Sequence, residues 1–277
     1  MSNITASDIN NLRKVTGAGM LDCKKALTET NGNFEDAIDW LRKHGQKVAA
    51  KRSDREAKEG VILASTANNN TVGYIICVSC ETDFVAKNTD FVAFAQTIMQ
   101  ACINNNVLNI EQLNNTKIGD ALIQDLINDK LASIGEKIGI SKFVRVEAPF
   151  VSSYIHGANR MGVLVTLSAE EDEIGKNLAM QIAAMNPVAV DANDVPTEVV
   201  ERERNIIIDT MKADPKMEGK TDEMLHKISE GKLTAFFKEQ TLLAQSFVKD
   251  NSVTVQDYIK SKNPTLKVIG FNRVALG

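Results

Sequence analysis

The sequence predicts an α+β protein with three N-terminal helices, followed by two related units that each combine an antiparallel sheet with helices. Apolar residues recur at helical spacing up to about residue 45 and alternate in strand-like runs from Gly60 onward. The second half of the chain repeats the order of hairpin, helix and final strand found in the first half. A helical segment, residues 196–247, interrupts this second copy.

Composition and charge restrict the classes of function. The 277 residues are 43% hydrophobic and 25% charged, with a net charge of −4, as in soluble globular proteins. A protein that grips long nucleic acid needs a dense basic face, so direct nucleic-acid binding is not expected. No apolar run approaches the roughly 18 residues of a membrane span, and the first residues lack signal-peptide character. We therefore expect a cytoplasmic protein without membrane contact.

The first helix of the N-terminal module, residues 1–55, has clear boundaries. Thr5 to Asp8 has the form of a capping box, and Gly17–Gly19 should stop the helix. Its apolar residues are expected to face inward: Ile9, Leu12 and Val15.

Two more helices complete this module. One is predicted over residues 20–30, and the next begins after Asn33 and ends at Gly45. A module with so few large apolar residues is better suited to contact than to catalysis. In residues 46–60 basic and acidic residues alternate, which favours a solvated helical linker. A basic strip that touches an acidic partner or ribosomal RNA is the alternative.

Each α+β unit is predicted from strand and helix periods. The first unit, residues 56–148, has strands at 60–64, 71–80 and 142–147 and helices at 82–104 and 117–134. The second unit, residues 149–195 and 248–277, has strands at 152–156, 161–168 and 266–276 and a helix at 170–185.

The segment 196–247 reads as a helical hairpin with arms 197–212 and 221–240. Six apolar residues can zip the arms together: Val200, Ile207, Met211, Leu225, Ile228 and Phe236. Four more would remain as apolar surface: Ile206, Ile208, Met224 and Phe237. Such a patch is a candidate homodimer contact.

No catalytic residue, metal site or cofactor is predicted. Common catalytic and phosphate-binding motifs are absent, and the three histidines lie in different segments. Cys77 and Cys80 resemble half a zinc site, but residues three apart on a strand point to opposite faces. A thiol-based enzyme would require a thiolate of lowered pKa at Cys23, Cys77 or Cys80.

The segment after the second strand is unusual. Thr82 is a good N-cap where a strand turns into a helix, which places Asp83 and Phe84 in the first turn at the rim of the sheet. Phe84 is then a candidate exposed anchor, whereas Phe91, seven residues later, fits the core. On one continuous helix both rings would share a face, so two core residues are the alternative.

Three motifs carry a family resemblance: LRKVTGAGMLDCKKAL at 12–27, ETDFVAKN at 81–88 and HGANRMGVLV at 156–165. With these motifs, the chain resembles the elongation factor Ts family, the guanine-nucleotide exchange factors of bacterial elongation factor Tu. The similarity extends from Ile4 to about Arg273. The first two motifs are highly specific.

The resemblance implies a ubiquitin-associated-like helical module, two α+β subdomains and a coiled-coil hairpin that dimerises some members. It implies that Thr82, Asp83, Phe84 and Val85 reach the GTPase domain of elongation factor Tu and dislodge its magnesium. Further residues are implied to contact the same partner: Arg13, Met20 and Leu21 in the helical module, and His156 in the second subdomain.

One departure concerns the C-terminus. Longer members carry an extra C-terminal helical module that touches the partner, and this sequence stops at Gly277, so we expect that contact to be missing. A ribosome- or RNA-associated adaptor that uses the helical module and basic linker remains the alternative function.

Overall fold

The computed structural model describes residues 4–51, 54–217 and 219–277. The helical module consists of α1 (Ala6–Thr16), α2 (Met20–Glu29) and α3 (Phe34–Lys51). The predicted capping box is confirmed: the Asp8 amide donates to the Thr5 hydroxyl, and the Asp8 carboxylate accepts from the Thr5 amide. Gly17 ends α1 with a φ of 68°. In the alternative basic strip, Lys47, Lys51 and Arg52 lie outside the described side chains. Arg55 and Lys58 form ion pairs with Glu81 and Glu56.

Two expectations about the module are wrong. Val15 is 66% exposed because it lies in the last turn of α1, beside a cleft. Gly45 does not end α3. It is buried, and a Cβ at this position would lie 3.3 Å from the Cβ of Ala132. The glycine therefore allows α3 to pack closely on a later helix, and α3 continues to Lys51.

The first unit has an antiparallel sheet in the order β1 (Glu59–Ala67), β2 (Val72–Cys80) and β5 (Gly139–Glu147). The hairpin between β1 and β2 is confirmed. Its turn, Asn68–Asn70, has three consecutive residues with positive φ, a conformation that asparagine tolerates better than other non-glycine residues.

The predicted helix 82–104 is interrupted, so a single continuous helix is wrong. The structure has α4 (Asp83–Ala86) followed by α5 (Thr89–Asn104). Between them, the Asn88 side chain accepts hydrogen bonds from the amides of Asp90 and Phe91. This cap begins a new helix, because the side chain takes the place of a helical carbonyl.

The next predicted helix begins later than residue 117. The asparagine-rich loop contains α6 (Ile110–Asn114), and residues 117–122 form a small hairpin of β3 (Lys117–Ile118) and β4 (Ala121–Leu122). Gly119, at a φ of 62°, permits the tight turn. Helix α7 (Ile123–Ile134) follows directly.

The second unit repeats the antiparallel sheet, in the order β10, β7, β6. The corresponding elements are β6 (Phe150–His156), β7 (Met161–Leu167), α8 (Asp172–Met185) and β10 (Val268–Ala275). The sequence did not indicate three elements before the last strand: β8 (Ser246–Phe247), β9 (Asp250–Thr254) and α11 (Val255–Lys262).

The inserted hairpin consists of α9 (Thr197–Lys212) and α10 (Asp222–Gln240). Ile206 and Met224 are exposed, as expected, at 48% and 54%. The expectation for Ile208 and Phe237 is wrong, since both pack between the arms, and Phe237 takes the place expected for Phe236. After the hairpin, Leu242 and Phe247 belong to the core of the second unit.

The two sheets pack face to face, and helices cover their outer faces. Ile62, Ile75 and Cys77 of the first sheet meet Val151 of β6 and Leu164 of β7 in the second. All nine residues of β2 are buried, so this strand has a core on each side. The packing joins the two units into one body and brings their strand ends together.

Candidate partner-binding site

The site begins where β2 ends. Thr82 caps α4 by accepting a hydrogen bond from the amide of Val85 at 3.4 Å. Val85 and Ala86 pack partly against the first core, whereas Phe84 is 83% exposed. Phe91, in the near copy of this motif, is 1% exposed. The expected contrast between an exposed Phe84 and a core Phe91 is confirmed.

Asp83 directly precedes Phe84, and its carboxylate forms an ion pair. Its carboxylate lies 2.6 Å from the ammonium of Lys87, one turn later on the helix. This hydrogen bond lowers the pKa of Asp83 below its ordinary value. Asp83 is therefore ionised at neutral pH and presents a negative charge next to Phe84.

Residues distant in sequence bind the strand exit, which is the segment 81–82 directly after β2. The carboxylate of Glu136, which follows α7, accepts from the amides of Glu81 and Thr82, both at 3.0 Å. It also accepts from the Thr82 hydroxyl at 2.6 Å. In return, the carboxylate of Glu81 accepts from the amide of Lys137 at 2.6 Å. No local sequence pattern indicates Glu136, because its contact with Thr82 joins residues 54 positions apart.

His156 lies at the same edge of the molecule. It is exposed at the end of β6, and its Nδ1 is 3.0 Å from the hydroxyl of Tyr154. In the turn that follows, Arg160 forms an ion pair with Glu59 at 2.9 Å. Glu59 is the register partner of Cys80 at the end of β2. The structure thus places the His156 turn beside the strand exit that leads to Phe84.

The other predicted residues lie on the helical module. Arg13 is exposed, and Met20 and Leu21 are 54% and 83% exposed around the turn between α1 and α2. Val15 adds to this apolar surface and was missed because its spacing matched a core position. A cleft of about 680 Å³ separates the module from α5 and α7, and its lining includes Val15 and Gly135. Gly135 directly precedes Glu136 in the chain, so the cleft ends one residue before the segment that contacts the strand exit.

The four cysteines offer no reactive thiolate. All four are buried, and burial raises the pKa of both Cys80 and Cys102 to about 12. Burial also raises the pKa of Cys23 and Cys77. Cys77 faces the other sheet and Cys80 faces the helices, so the two thiols point apart as expected.

Among residues 4–51, 54–217 and 219–277, no cluster of three or more His, Cys, Asp or Glu side chains could hold a metal ion. None of the helices in the same part of the chain has the length and hydropathy needed to cross a membrane.

Comparisons with known proteins agree with these features. A sequence model described as elongation factor TS matches residues 81–277. Elongation factor Ts of Christiangramia forsetii is 46% identical over 280 residues, which cover the whole of both chains. That of Flavobacterium psychrophilum is 45% identical over 280 residues, again with full coverage, and that of Amoebophilus asiaticus is 44% identical over 99% of both chains. By its sequence over the full length, and with the capped TDFV segment directly after the central strand β2, the chain belongs to the elongation factor Ts family.

Proposed function

We propose that the chain performs the function of its family through residues 82–85: it binds elongation factor Tu with GDP and promotes the release of GDP. Elongation factor Ts is a nucleotide exchange factor and does not catalyse a chemical reaction. The observation that carries the proposal is the 83% exposure of Phe84 on a helix whose other apolar residues pack against the core. Large aromatic side chains presented on a rigid element are typical anchors of protein interfaces.

The physics of exchange suits a site without an acid or a base. A magnesium ion bridges the phosphates of a bound nucleotide and the GTPase. Phe84 would enter the partner as a wedge, and Asp83 would perturb the surroundings of the ion. The binding free energy of the factor then favours an open GTPase that holds GDP weakly.

The coupling between the two ligands must be reciprocal. If the factor weakens GDP binding about 1,000-fold, or about 4 kcal/mol, GDP weakens binding of the factor by the same amount. The complex of all three components is therefore short-lived. Contacts from Arg13, Met20, Leu21 and His156 would hold the factor in place while residues 82–85 open the nucleotide site.

The test is release of fluorescent GDP from elongation factor Tu, followed by stopped-flow fluorescence with and without this protein. We expect a saturable acceleration, and a smaller one after EDTA has removed magnesium, because part of the effect is then already present. An unchanged release rate at saturating protein would contradict the proposal.

The alternative, an RNA-associated adaptor, receives no support from the comparisons. We further propose that the protein acts in the cytoplasm, where it meets its GTPase partner. Salt-dependent binding of ribosomal RNA, without any effect on GDP release, would favour the adaptor instead.

A further inference from the structure

Four residues form a reciprocal contact beside the proposed exchange segment, which we call the carboxylate clasp: Glu81, Thr82, Glu136 and Lys137. The carboxylate of Glu136 receives three donors from residues 81 and 82. The carboxylate of Glu81 receives the amide of Lys137. Each of the two segments thus supplies a carboxylate to the backbone of the other.

The clasp determines the orientation of the helix cap. The hydroxyl of Thr82 has one proton, and it donates that proton to Glu136 at 2.6 Å. Its lone pairs are then free to accept from the amide of Val85. Charge-assisted hydrogen bonds of this kind are stronger than neutral ones. Glu136 therefore fixes both the backbone before α4 and the direction of the hydroxyl that starts it.

The clasp also binds Arg55, at the end of the linker that follows the helical module. Arg55 donates from Nη1 to Glu81 at 3.1 Å, and the Lys137 ammonium donates to the carbonyl of Arg55 at 2.7 Å. The point where the linker reaches the first unit is thus joined to the base of α4.

We propose that Glu136 is a positioning residue for nucleotide exchange: through the carboxylate clasp it holds the first turn of α4 so that Phe84 meets the GTPase in a fixed orientation. This inference rests on the function proposed above. A preorganised wedge loses little conformational freedom on insertion, whereas a mobile one must be ordered at that moment. Without Glu136 the partner still binds through its other contacts, but residues 82–85 open it more slowly.

The test separates positioning from stability through two kinetic quantities. Glu136→Ala should lower the maximal GDP release rate about tenfold, or about 1.4 kcal/mol, with the half-saturating concentration of factor nearly unchanged. A partly unfolded factor would do the reverse, since it only reduces the active concentration. Glu111→Ala, which removes an exposed glutamate of the same unit, is the matched control and should match the parent.

Variants of Thr82 probe the same hydrogen bond from the other side. Thr82→Ser retains the hydroxyl and should lose less of the maximal rate than Thr82→Val, which should resemble Glu136→Ala. These variants test the hydrogen bond between Thr82 and Glu136 even if Glu136→Ala fails to fold. A Thr82→Val protein with the parental maximal rate would overturn the inference.

A double-mutant cycle with Phe84→Ala gives the decisive result. If Glu136 acts by placing Phe84, adding Glu136→Ala to Phe84→Ala should slow exchange less than about twofold further. If the rate reduction in the double variant equals the product of the two single reductions, the inference is overturned.

Failure of the proposed function gives a different result. In that case the parent protein does not accelerate GDP release from elongation factor Tu. The clasp is then tested by amide hydrogen exchange. Glu136→Ala should then accelerate exchange of the Glu81 and Thr82 amides while that of Ile76 in β2 stays constant. Equal protection of the Glu81 and Thr82 amides in both proteins would count against the clasp.

Discussion

Phe84 and Phe91 occupy corresponding places in two successive copies of the same short motif and have opposite surroundings. Phe84→Ala should leave the melting temperature almost unchanged but slow stimulated GDP release about 10- to 150-fold. This range corresponds to the loss of about 1.5 to 3 kcal/mol of burial in the partner. Melting curves and stopped-flow GDP release measure the two effects.

Phe91→Ala is the internal control for this prediction. Its ring lies in the first core, so its removal should cost about 3 to 5 kcal/mol of unfolding free energy. A Phe84→Ala protein that melts like the parent and exchanges at the parental rate would contradict the assignment of the wedge.

Asp83 offers a test of charge at the same site. Asp83→Ala should reduce GDP release with little change in melting temperature, because the carboxylate is 41% exposed and its ion pair with Lys87 lies at the surface. Asp90→Ala removes the matching acid from the second copy of the motif and should leave exchange unchanged. Because the pKa of Asp83 is lowered, its ion pair persists as the pH falls through the ordinary carboxyl range. It is lost only below the lowered pKa.

The buried thiols predict a dependence on alkaline pH. Cys80 and Cys102 have pKa values of about 12 in the folded protein, against about 8.5 in an unfolded chain. Their contribution to stability is complete below the unfolded pKa and decreases as the pH rises from there towards the folded value. We expect slow reaction of the folded protein with a thiol reagent at pH 8 and four reactive thiols after denaturation. Fast labelling of Cys80 in the folded state would contradict this expectation.

At the scale of elements, the helical hairpin has apolar surface beyond what its two arms bury. Ile206 and Met224 remain exposed, and we predict that they form a homodimer contact. Replacing both with lysine should lower the sedimentation coefficient at tens of micromolar, the range where a micromolar contact is visible. Thr210→Lys, on an exposed position of the same arm, is the control. A parent protein that sediments as a monomer at this concentration would show that the contact does not form.

Core residues that follow the hairpin limit how much of the insert can be deleted. A deletion of residues 197–240 removes both arms and retains Leu242 and Phe247, which pack in the second core. The shortened protein should fold and should still promote GDP release, because the hairpin contains none of the proposed exchange residues.

At the scale of the whole molecule, close contact between the two sheets makes the units mutually dependent. A Cβ at Gly73 would lie 2.7 Å from Cγ1 of Val151, across the interface. Gly73→Ala should therefore cost about 1 to 3 kcal/mol by overpacking and lower the melting temperature in a single transition. Gly270→Ala, whose Cβ would have its nearest neighbour at 3.5 Å, should have a smaller effect. Separate melting of the two units would contradict their mutual dependence.

Features that depend on neighbouring residues could be predicted from the sequence. The Thr5 capping box, the Asn68–Asn70 turn and the opposite faces of Cys77 and Cys80 follow from short-range spacing. The Thr82 cap belongs to the same group, since a capping side chain bonds to amides two or three residues ahead. These local rules made Phe84 a candidate for an exposed position, with a core position as the alternative, and the structure shows it 83% exposed.

Features that join distant segments depend on how the elements pack and could not be predicted from local spacing. Gly45 stays within α3 because α7 approaches it, and Ile208 is buried because the opposite arm covers it. Glu136 meets Thr82 because antiparallel pairing of β2 with β5 brings the residues before β5 beside the end of β2. Periodicity in the chain shows which face of an element is apolar, but the partner of that face depends on how all elements pack together.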